Sequence, residues 1–202
     1  MDTTDNGAVA RHLAETVAEA AEGGVIIVIS GLPAAGKSTL SERLWELCSR
    51  DGRGVVVLDK DHVAHPYEGI AMAALAGDEF VRDGQIYRRM VLPHTESILT
   101  SVVQMMYDAG MVVIVEKPAI GAARTAVDTG RHLTDVHSEI FDRPVTATVW
   151  MDVDADTQRD RMIRRGFARD DFKLADFDGY RASLGPVADF PSELCDVRLN
   201  TT

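Results

Sequence analysis

Hydrophobic residues along the chain follow two alternating patterns, one typical of buried strands and one typical of amphipathic helices. Five apolar runs rich in β-branched residues predict strands, at about 25–30, 55–58, 111–115, 145–151 and 195–199. Between them, apolar residues recur every three or four positions, which predicts helices at about 7–22, 37–50, 85–109 and 122–141. Strands separated by helices of this length form βαβ units. The pattern therefore predicts an α/β fold with a mainly parallel sheet.

Two details of the pattern concern burial. The run at 55–58 is continuously apolar, as in strands that are buried on both faces of a sheet. In the helix that begins near Lys37, the spacing predicts a buried side formed by Leu40, Leu44, Trp45 and Leu47.

Composition limits the size and surroundings of this fold. The chain has 202 residues, 46% of them hydrophobic, which is enough for one domain, residues 1–202, and too few for two. Its net charge of −11 argues against nucleic-acid or anionic membrane surfaces as partners, because both need clustered Lys and Arg. No run approaches the roughly 18 apolar residues of a membrane span, and the N-terminus is acidic where a signal peptide would be basic. We therefore expect a cytoplasmic protein. Its oligomeric state stays open, with a homodimer among the alternatives.

The two cysteines, Cys48 and Cys195, lie in unrelated segments without metal spacing. They are expected to be reduced and buried. His62 and His65 lack a third ligand at metal spacing. We therefore expect them to form surface or substrate contacts rather than a zinc site.

The first strand leads directly into the pattern G-x-x-x-x-G-K-[ST], from Gly31 to Ser38. Glycines allow the tight turn that aims successive backbone N–H groups and a helix N-terminus at one phosphate. Lys37 is expected to reach the β- and γ-phosphates, and the Ser38 hydroxyl to contact Mg²⁺. A simple glycine-rich strand-to-helix turn is the alternative. The pattern predicts binding of ATP or GTP with Mg²⁺ by Gly31, Leu32, Pro33, Ala34, Ala35, Gly36, Lys37, Ser38 and Thr39.

Acidic residues follow the next two strands along the chain, at the sheet edge where α/β proteins bind ligands. Of Asp59 and Asp61, one is expected to face the phosphate site and the other to turn outward or cap the next segment. A carboxylate facing the site could accept the proton of an attacking hydroxyl or hold Mg²⁺ through water. Glu116 is predicted to orient the water shell of Mg²⁺ beside Ser38. Its neighbour Lys117 leaves a local ion pair as the alternative.

Five arginines are concentrated between residues 159 and 169 of this otherwise acidic chain. Arginine forks neutralise a transferring phosphoryl group, and a segment interrupted by Gly166 can close over it as a lid. We predict a lid at about 161–175, with Arg165 and Arg169 catalytic and Arg161 in contact with the nucleotide. A solvated helix with pairs such as Asp160–Arg164 is the alternative.

Taken in order, the P-loop, the strand-end D-x-D, a helical Glu, the strand-end acid and the arginine lid resemble the small P-loop kinases related to zeta toxins and chloramphenicol phosphotransferase. The resemblance implies a P-loop NTPase three-layer sandwich with a kinase-type lid. It also implies transfer of the γ-phosphate to a hydroxyl of a small molecule, with Asp61 as the base. Zeta-like members contact the acceptor through a Thr-Glu pair, which Thr95-Glu96 resembles. The chain departs from these kinases at Lys117-Pro118, where they have a small residue.

The acceptor is expected to bind in the region of residues 62–94. Contacts with it are predicted for Asp59, His62, Arg88, Glu96 and Arg124. The sequence therefore predicts a kinase for a metabolite or antibiotic hydroxyl. A toxin that phosphorylates a nucleotide sugar and a non-catalytic nucleotide-dependent switch are the alternatives.

Overall fold

A single parallel sheet forms the centre of the protein. The computed structural model describes residues 1–20, 23–79 and 84–202. Within these residues the strands are β1 (Asp2–Thr3), β2 (Val25–Gly31), β3 (Val55–Asp59), β4 (Val112–Glu116), β5 (Ala147–Asp152) and β6 (Val197–Asn200). They are arranged in the order β1-β6-β5-β2-β4-β3, and every neighbouring pair is parallel. The predicted α/β class is confirmed.

Helices connect successive strands. They are α1 (Asn6–Glu19), α2 (Lys37–Cys48), α3 (Lys60–Ala76), α4 (Leu92–Asp108), α5 (Ile120–Thr129), α6 (Leu133–Phe141), α7 (Ala155–Arg165), α8 (Ala168–Ala175) and α9 (Phe177–Leu184). A π-helical turn at Tyr87–Val91 leads into α4, and 3-10 turns lie at Ser49–Asp51, Gly185–Asp189 and Ser192–Leu194. In the described part of the chain, none of these helices has the length and apolar character that crossing a membrane requires.

Both faces of the sheet are covered, because successive side chains of a strand point to opposite sides. Ile27 and Ile29 of β2 pack in a core that includes residues of α1, α2 and α5. Ile26 and Val28 face the other way, into a core that includes Leu99 of α4. This arrangement confirms the predicted three-layer sandwich.

The observed helix boundaries differ from the predicted ones where turns interrupt a helix. The predicted helix at 85–109 is a π-helical turn followed by α4, and the one at 122–141 is divided at Gly130, whose φ is +66°. The strand β1 was missed, since two residues carry no periodic signal. Residues 21–22 of the first predicted helix and 80–83 of the acceptor region lie outside the described residues.

Two burial predictions were wrong. β3 lies at the edge of the sheet, and Val55 to Val57 are only partly buried. Trp45 is 45% exposed, because the buried stripe of α2 follows Leu40, Leu44 and Cys48 at intervals of four residues.

A Gly31→Ala variant tests how closely β2 approaches β5. Gly31 has φ +139°, and an added Cβ would lie 2.7 Å from the backbone nitrogen of Met151. The substitution should lower the free energy of unfolding by at least about 3 kcal/mol, because neither backbone can move away. Urea denaturation measures this loss. Gly121→Ala in α5, where an added Cβ has no neighbour within 4 Å, should instead leave stability unchanged or raise it by up to about 1 kcal/mol. Equal effects of the two substitutions would contradict the prediction.

Candidate active site

The segment between β2 and α2 has the geometry of a phosphate-binding loop. β2 ends at Gly31, and the Leu32 N–H donates to the Met151 carbonyl at 3.1 Å, which holds the start of the loop against β5. Gly36, with φ +88°, is the N-cap residue of α2 and has no side chain to occupy the helix N-terminus. Backbone N–H groups and the helix dipole therefore favour an anion immediately before Lys37.

Lys37 is folded back over this loop. Its Nζ donates to the carbonyls of Leu32 at 2.9 Å and Gly31 at 3.3 Å. Burial lowers the pKa of Lys37 to about 8; the attraction of the Glu116 carboxylate partly opposes this change, and the guanidinium of Arg165 adds to it. Lys37 is partly buried, and within the described residues its hydrogen bonds go to neutral carbonyls, which phosphate oxygens can replace.

Glu116 lies beside the start of α2. Its Oε1 accepts from the Ser38 hydroxyl at 2.7 Å and its Oε2 from the Ser41 hydroxyl at 3.1 Å. Burial raises the pKa of Glu116, and the Ser38 hydrogen bond counteracts part of that rise. Ser41 was missed, since nothing local in the sequence marks a serine one turn after the P-loop motif.

These side chains fit Mg²⁺ bound together with phosphates. Ser38 and Glu116 supply hard oxygen donors and leave coordination positions for water and phosphate oxygens, the arrangement that Mg²⁺ prefers in such sites. Within the described residues, no cluster of three or more His, Cys, Asp or Glu side chains is placed to hold a metal by itself. Ser38 and Glu116 would therefore hold Mg²⁺ only in company with the nucleotide.

The two aspartates after β3 have different partners. Asp59 caps α3, because its carboxylate accepts the Asp61 N–H at 2.8 Å. The Asp61 carboxylate lies 2.5 Å from Nη1 of Arg169, and 3.9 Å from Nζ of Lys60. Asp59 therefore has the capping role, and Asp61 contacts the arginine segment.

The arginine segment turns inward at Gly166, which ends α7 with φ +60°. Beyond it, Arg169 reaches Asp61, and Nε of Arg165 lies 2.5 Å from the carboxylate of Asp170. Asp170 is buried, whereas its partner is partly exposed. Both guanidinium groups also lie over the ring of Phe167, at 5.2 and 5.1 Å. Arg165 and Arg169 are therefore oriented by specific partners, unlike the side chains of a purely solvated helix.

A cavity of about 320 Å³ lies beside the P-loop. Its lining combines P-loop residues 34–36 and Thr39 with Asn6, Arg161 and Thr201. The Arg161 guanidinium donates to the Ala34 carbonyl at 3.3 Å and to the carbonyl and hydroxyl of Thr201 at 2.6 and 3.0 Å. Sequence reasoning missed Asn6 and Thr201, because they lie near the two ends of the chain and belong to no local motif.

A buried polar cluster lies where α3 meets the π-helical turn. Nζ of Lys60 donates to Glu68 at 2.7 Å and to the Tyr87 hydroxyl at 2.9 Å. Burial raises the pKa of Tyr87 to about 12. This cluster connects the start of α3, next to Asp61, with the segment expected to bind the acceptor.

Lys117 forms an ion pair with Glu96 of α4 instead of with its neighbour Glu116. Consecutive residues after a strand point to opposite faces, so Glu116 faces α2 while Lys117 faces α4. Glu96 remains partly exposed, but Thr95 is buried and its hydroxyl donates to the Leu92 carbonyl within the same helix.

The remaining residues predicted to contact the acceptor have different surroundings. His62 and Arg88 are exposed. Arg124 donates to the Ser183 carbonyl at 2.7 Å, which connects α5 to the end of α9. The side chain of His65 lies outside what the structure describes.

The sequence profile of the AAA domain family matches residues 26–187, most of the chain and all of the P-loop. The chain belongs to this family. No curated protein matches it.

Several solved structures are similar to the protein. A proposed fructose transport system kinase from Silicibacter sp. TM1040 has a TM-score of 0.58 at 15% identity, covering 96% of this chain and 98% of its own. APS kinase CysC from Mycobacterium tuberculosis, solved with AMPPNP and APS, has a TM-score of 0.52 at 20% identity, covering 89% and 90%. A proposed kinase from Chloroflexus aurantiacus has a TM-score of 0.51 at 18% identity, covering 89% and 88%. These similarities show that the protein has the fold of P-loop kinases.

The pKa of Lys37 predicts how nucleotide affinity depends on pH. Below about pH 8 the ammonium is charged in the ligand-free protein and can bind phosphate oxygens. Above that pH, binding must first take up a proton, so the affinity for a triphosphate should fall by up to about tenfold per pH unit. Calorimetric titration between pH 7 and 9.5 measures this. Lys37→Arg, which stays charged throughout, should flatten the profile; an equal decline in both proteins would contradict the assignment to Lys37.

Proposed function

We propose that the protein is a kinase that transfers the γ-phosphate of ATP or GTP to a hydroxyl group of a small metabolite or antibiotic. The observation that carries the proposal is the contact between Asp61 and Arg169 beside the P-loop. In this contact, the Asp61 carboxylate can take a proton and the Arg169 guanidinium can stabilise a phosphoryl group. The charges of Asp61 and Arg165 both act on Lys37.

In this proposal the P-loop holds the phosphates. Lys37 exchanges its carbonyl partners for phosphate oxygens, and Ser38 and Glu116 hold Mg²⁺, which would neutralise charge on the triphosphate. The cavity beside residues 34–36 accommodates the nucleoside, because it is lined by the P-loop itself.

Transfer then depends on positioning. The acceptor oxygen attacks the γ-phosphorus, the bond to the β,γ-bridging oxygen breaks, and the hydroxyl proton passes to Asp61. For this step Arg169 must leave Asp61, and the negative charge on the transferring group offers it a new partner. Arg165, held by buried Asp170, contributes a second guanidinium.

The acceptor would lie between α3, the π-helical turn and the beginning of α4. Glu96, held by Lys117, offers a partly exposed carboxylate that can accept hydrogen bonds from a hydroxylated ligand. The resemblance to chloramphenicol phosphotransferase and zeta toxins supports this placement. A toxin-like acceptor site would use both residues of the Thr95-Glu96 pair, but Thr95 is buried and only Glu96 is partly exposed. A simpler hydroxylated acceptor is therefore favoured.

The proposed base is tested with Asp61→Asn, using an acceptor identified by screening hydroxylated metabolites for nucleoside diphosphate release. The amide keeps the shape of the side chain but cannot take a proton, so kcat should fall by roughly 10²-fold or more while nucleotide affinity stays nearly constant.

Asp59→Asn is the matched control, since it retains an oxygen that can cap α3. It should reduce turnover far less. If Asp59→Asn carries the larger loss of kcat, the base is Asp59; if neither variant changes turnover, neither aspartate is the base, and a screen in which no hydroxylated acceptor stimulates diphosphate release contradicts the kinase proposal.

The lid is tested with Arg165→Ala and Arg169→Ala. Guanidinium groups that meet charge as the phosphoryl group transfers should lower kcat by roughly 10²-fold when removed, with much less change in nucleotide affinity. Steady-state kinetics and calorimetry measure the two effects separately. Exposed Arg11→Ala on α1 serves as the control and should match the parent. Lid variants with rates within about twofold of the parent would assign this segment to an ordinary charged helix.

A further inference from the structure

Three successive carbonyl groups of the P-loop, at positions 33 to 35, accept hydrogen bonds from outside the loop. Their donors are, in that order, Gln158 Nε2 at 2.8 Å, Arg161 Nη1 at 3.3 Å and the Thr201 hydroxyl at 3.0 Å. Gln158 and Arg161 belong to α7, and Thr201 follows β6. Two distant parts of the chain therefore hold one side of the loop.

These hydrogen bonds fix the direction in which the peptide groups of the loop point. In a trans peptide, the carbonyl of one residue and the N–H of the next point in opposite directions. Donors to the carbonyls of Pro33 and Ala35 therefore turn the N–H groups of Ala34 and Gly36 away from those donors. Among the described residues, neither of these two N–H groups has an acceptor. N–H groups presented in this way by a loop form an anion-binding site.

The loop needs support because one of its residues is strained. Ala34 has φ +61°, in the left-handed region that a residue with a Cβ rarely adopts. Hydrogen bonds to its own carbonyl and to that of Pro33 offset this strain. Without them Ala34 would favour other conformations, and its N–H group would turn away from the phosphate site.

A partner on its other side holds the Gln158 amide in one orientation. The side chain is fully buried, and its Oε1 accepts from Nη1 of Arg181 in α9 at 3.0 Å. A guanidinium only donates and the Pro33 carbonyl only accepts, so a single orientation of the amide satisfies both. Arg181 thus directs the amide N–H of Gln158 to the P-loop.

The same contacts join the P-loop to the segment predicted to form the lid. Gln158 lies on α7, two turns before Arg165, and Arg181 lies on α9. The helix between them is α8, which carries Arg169. Gln158 therefore connects the loop with the helices on both sides of α8.

We infer that Gln158 is a positioning residue that holds Ala34 in its left-handed conformation, so that the P-loop N–H groups already face the site before a phosphate binds. The inference rests on the proposed nucleotide site and adds to it a residue that acts through the loop. A ligand that binds one conformation has an affinity reduced by the fraction of molecules in that conformation. Loss of the Gln158 hydrogen bond should therefore weaken every ligand whose phosphates enter the loop, whatever its base.

The experiment measures the binding of the Mg²⁺ complexes of ATP, GTP and inorganic tripolyphosphate by calorimetric titration. Gln158→Met keeps the length of the side chain but cannot donate. The Kd of each probe that the parent binds should rise about fivefold, the effect of leaving one carbonyl without its donor. Arg181 retains the Val153 carbonyl at 3.5 Å as an acceptor. Ile163→Met, at an exposed position of the same helix, is the matched control and should bind like the parent.

Ala34→Gly separates loop positioning from a general loss of structure. Glycine adopts a positive φ without a steric penalty, so a loop that contains it depends less on the Gln158 hydrogen bond. In the Gln158→Met background, Ala34→Gly should restore affinity by about threefold, whereas in the parent it should change affinity by less than about twofold. A protein that had only lost packing around α7 would gain nothing from this change in the loop.

A second substitution at the same position covers the case in which Gln158→Met does not fold, which circular dichroism reveals. Gln158→Glu keeps an acceptor for Arg181, but its carboxylate cannot donate to the Pro33 carbonyl. It should weaken the probes at least as much, and Ala34→Gly should again restore part of the affinity, although it could not remove a purely electrostatic effect of the added charge.

The inference is overturned if Gln158→Met binds the probes within about twofold of the parent, a smaller change than one lost hydrogen bond gives. A loss that Ala34→Gly leaves unchanged, or an equal loss in Ile163→Met, also overturns it. If neither Gln158 variant folds, the residue serves the fold and the inference is wrong. Failure of the proposed function differs: the parent would bind none of the three probes, or Lys37→Ala would bind them equally well.

Discussion

The close parallel pairing of β2 with β4 and β5 is the constraint on which the site depends. Its register places Gly31 opposite Met151 and Ile29 opposite Glu116. β3 in turn pairs Asp59 with Glu116, so the strands end at the same edge of the sheet. The P-loop can begin there only because Gly31 lies against the backbone of β5, where a side chain would not fit.

Charge at this edge is balanced by internal contacts. Lys37 is held by two carbonyls, Arg169 by Asp61 and Arg165 by Asp170. Buried or partly buried charges are costly without partners. A phosphorylated ligand would therefore replace existing partners, so the balance of charge controls how readily the proposed site accepts it.

Alternation of side chains at the end of β4 directs two neighbouring residues to opposite faces of the sheet. Glu116 faces α2 and binds the hydroxyls of Ser38 and Ser41, whereas Lys117 faces α4 and pairs with Glu96. The same alternation in β2 divides the core between the two faces of the sheet. One short strand thus connects the phosphate side of the proposed site with the acceptor side.

The sequence by itself determined the sheet class, the helix order and the P-loop, because periodicity and the glycine spacing are local properties of the chain. It also located the residues Asp61, Arg165 and Arg169, whose roles stay predictions. Only the tertiary structure decided that Asp59 caps α3 and that Lys117 pairs with Glu96. It alone decided that Asn6 and Thr201 line one cavity. The cap joins residues two positions apart, and the sequence left open only which aspartate forms it. The ion pair and the shared cavity instead join segments up to 195 positions apart, and they depend on strand order and register, which no local pattern encodes.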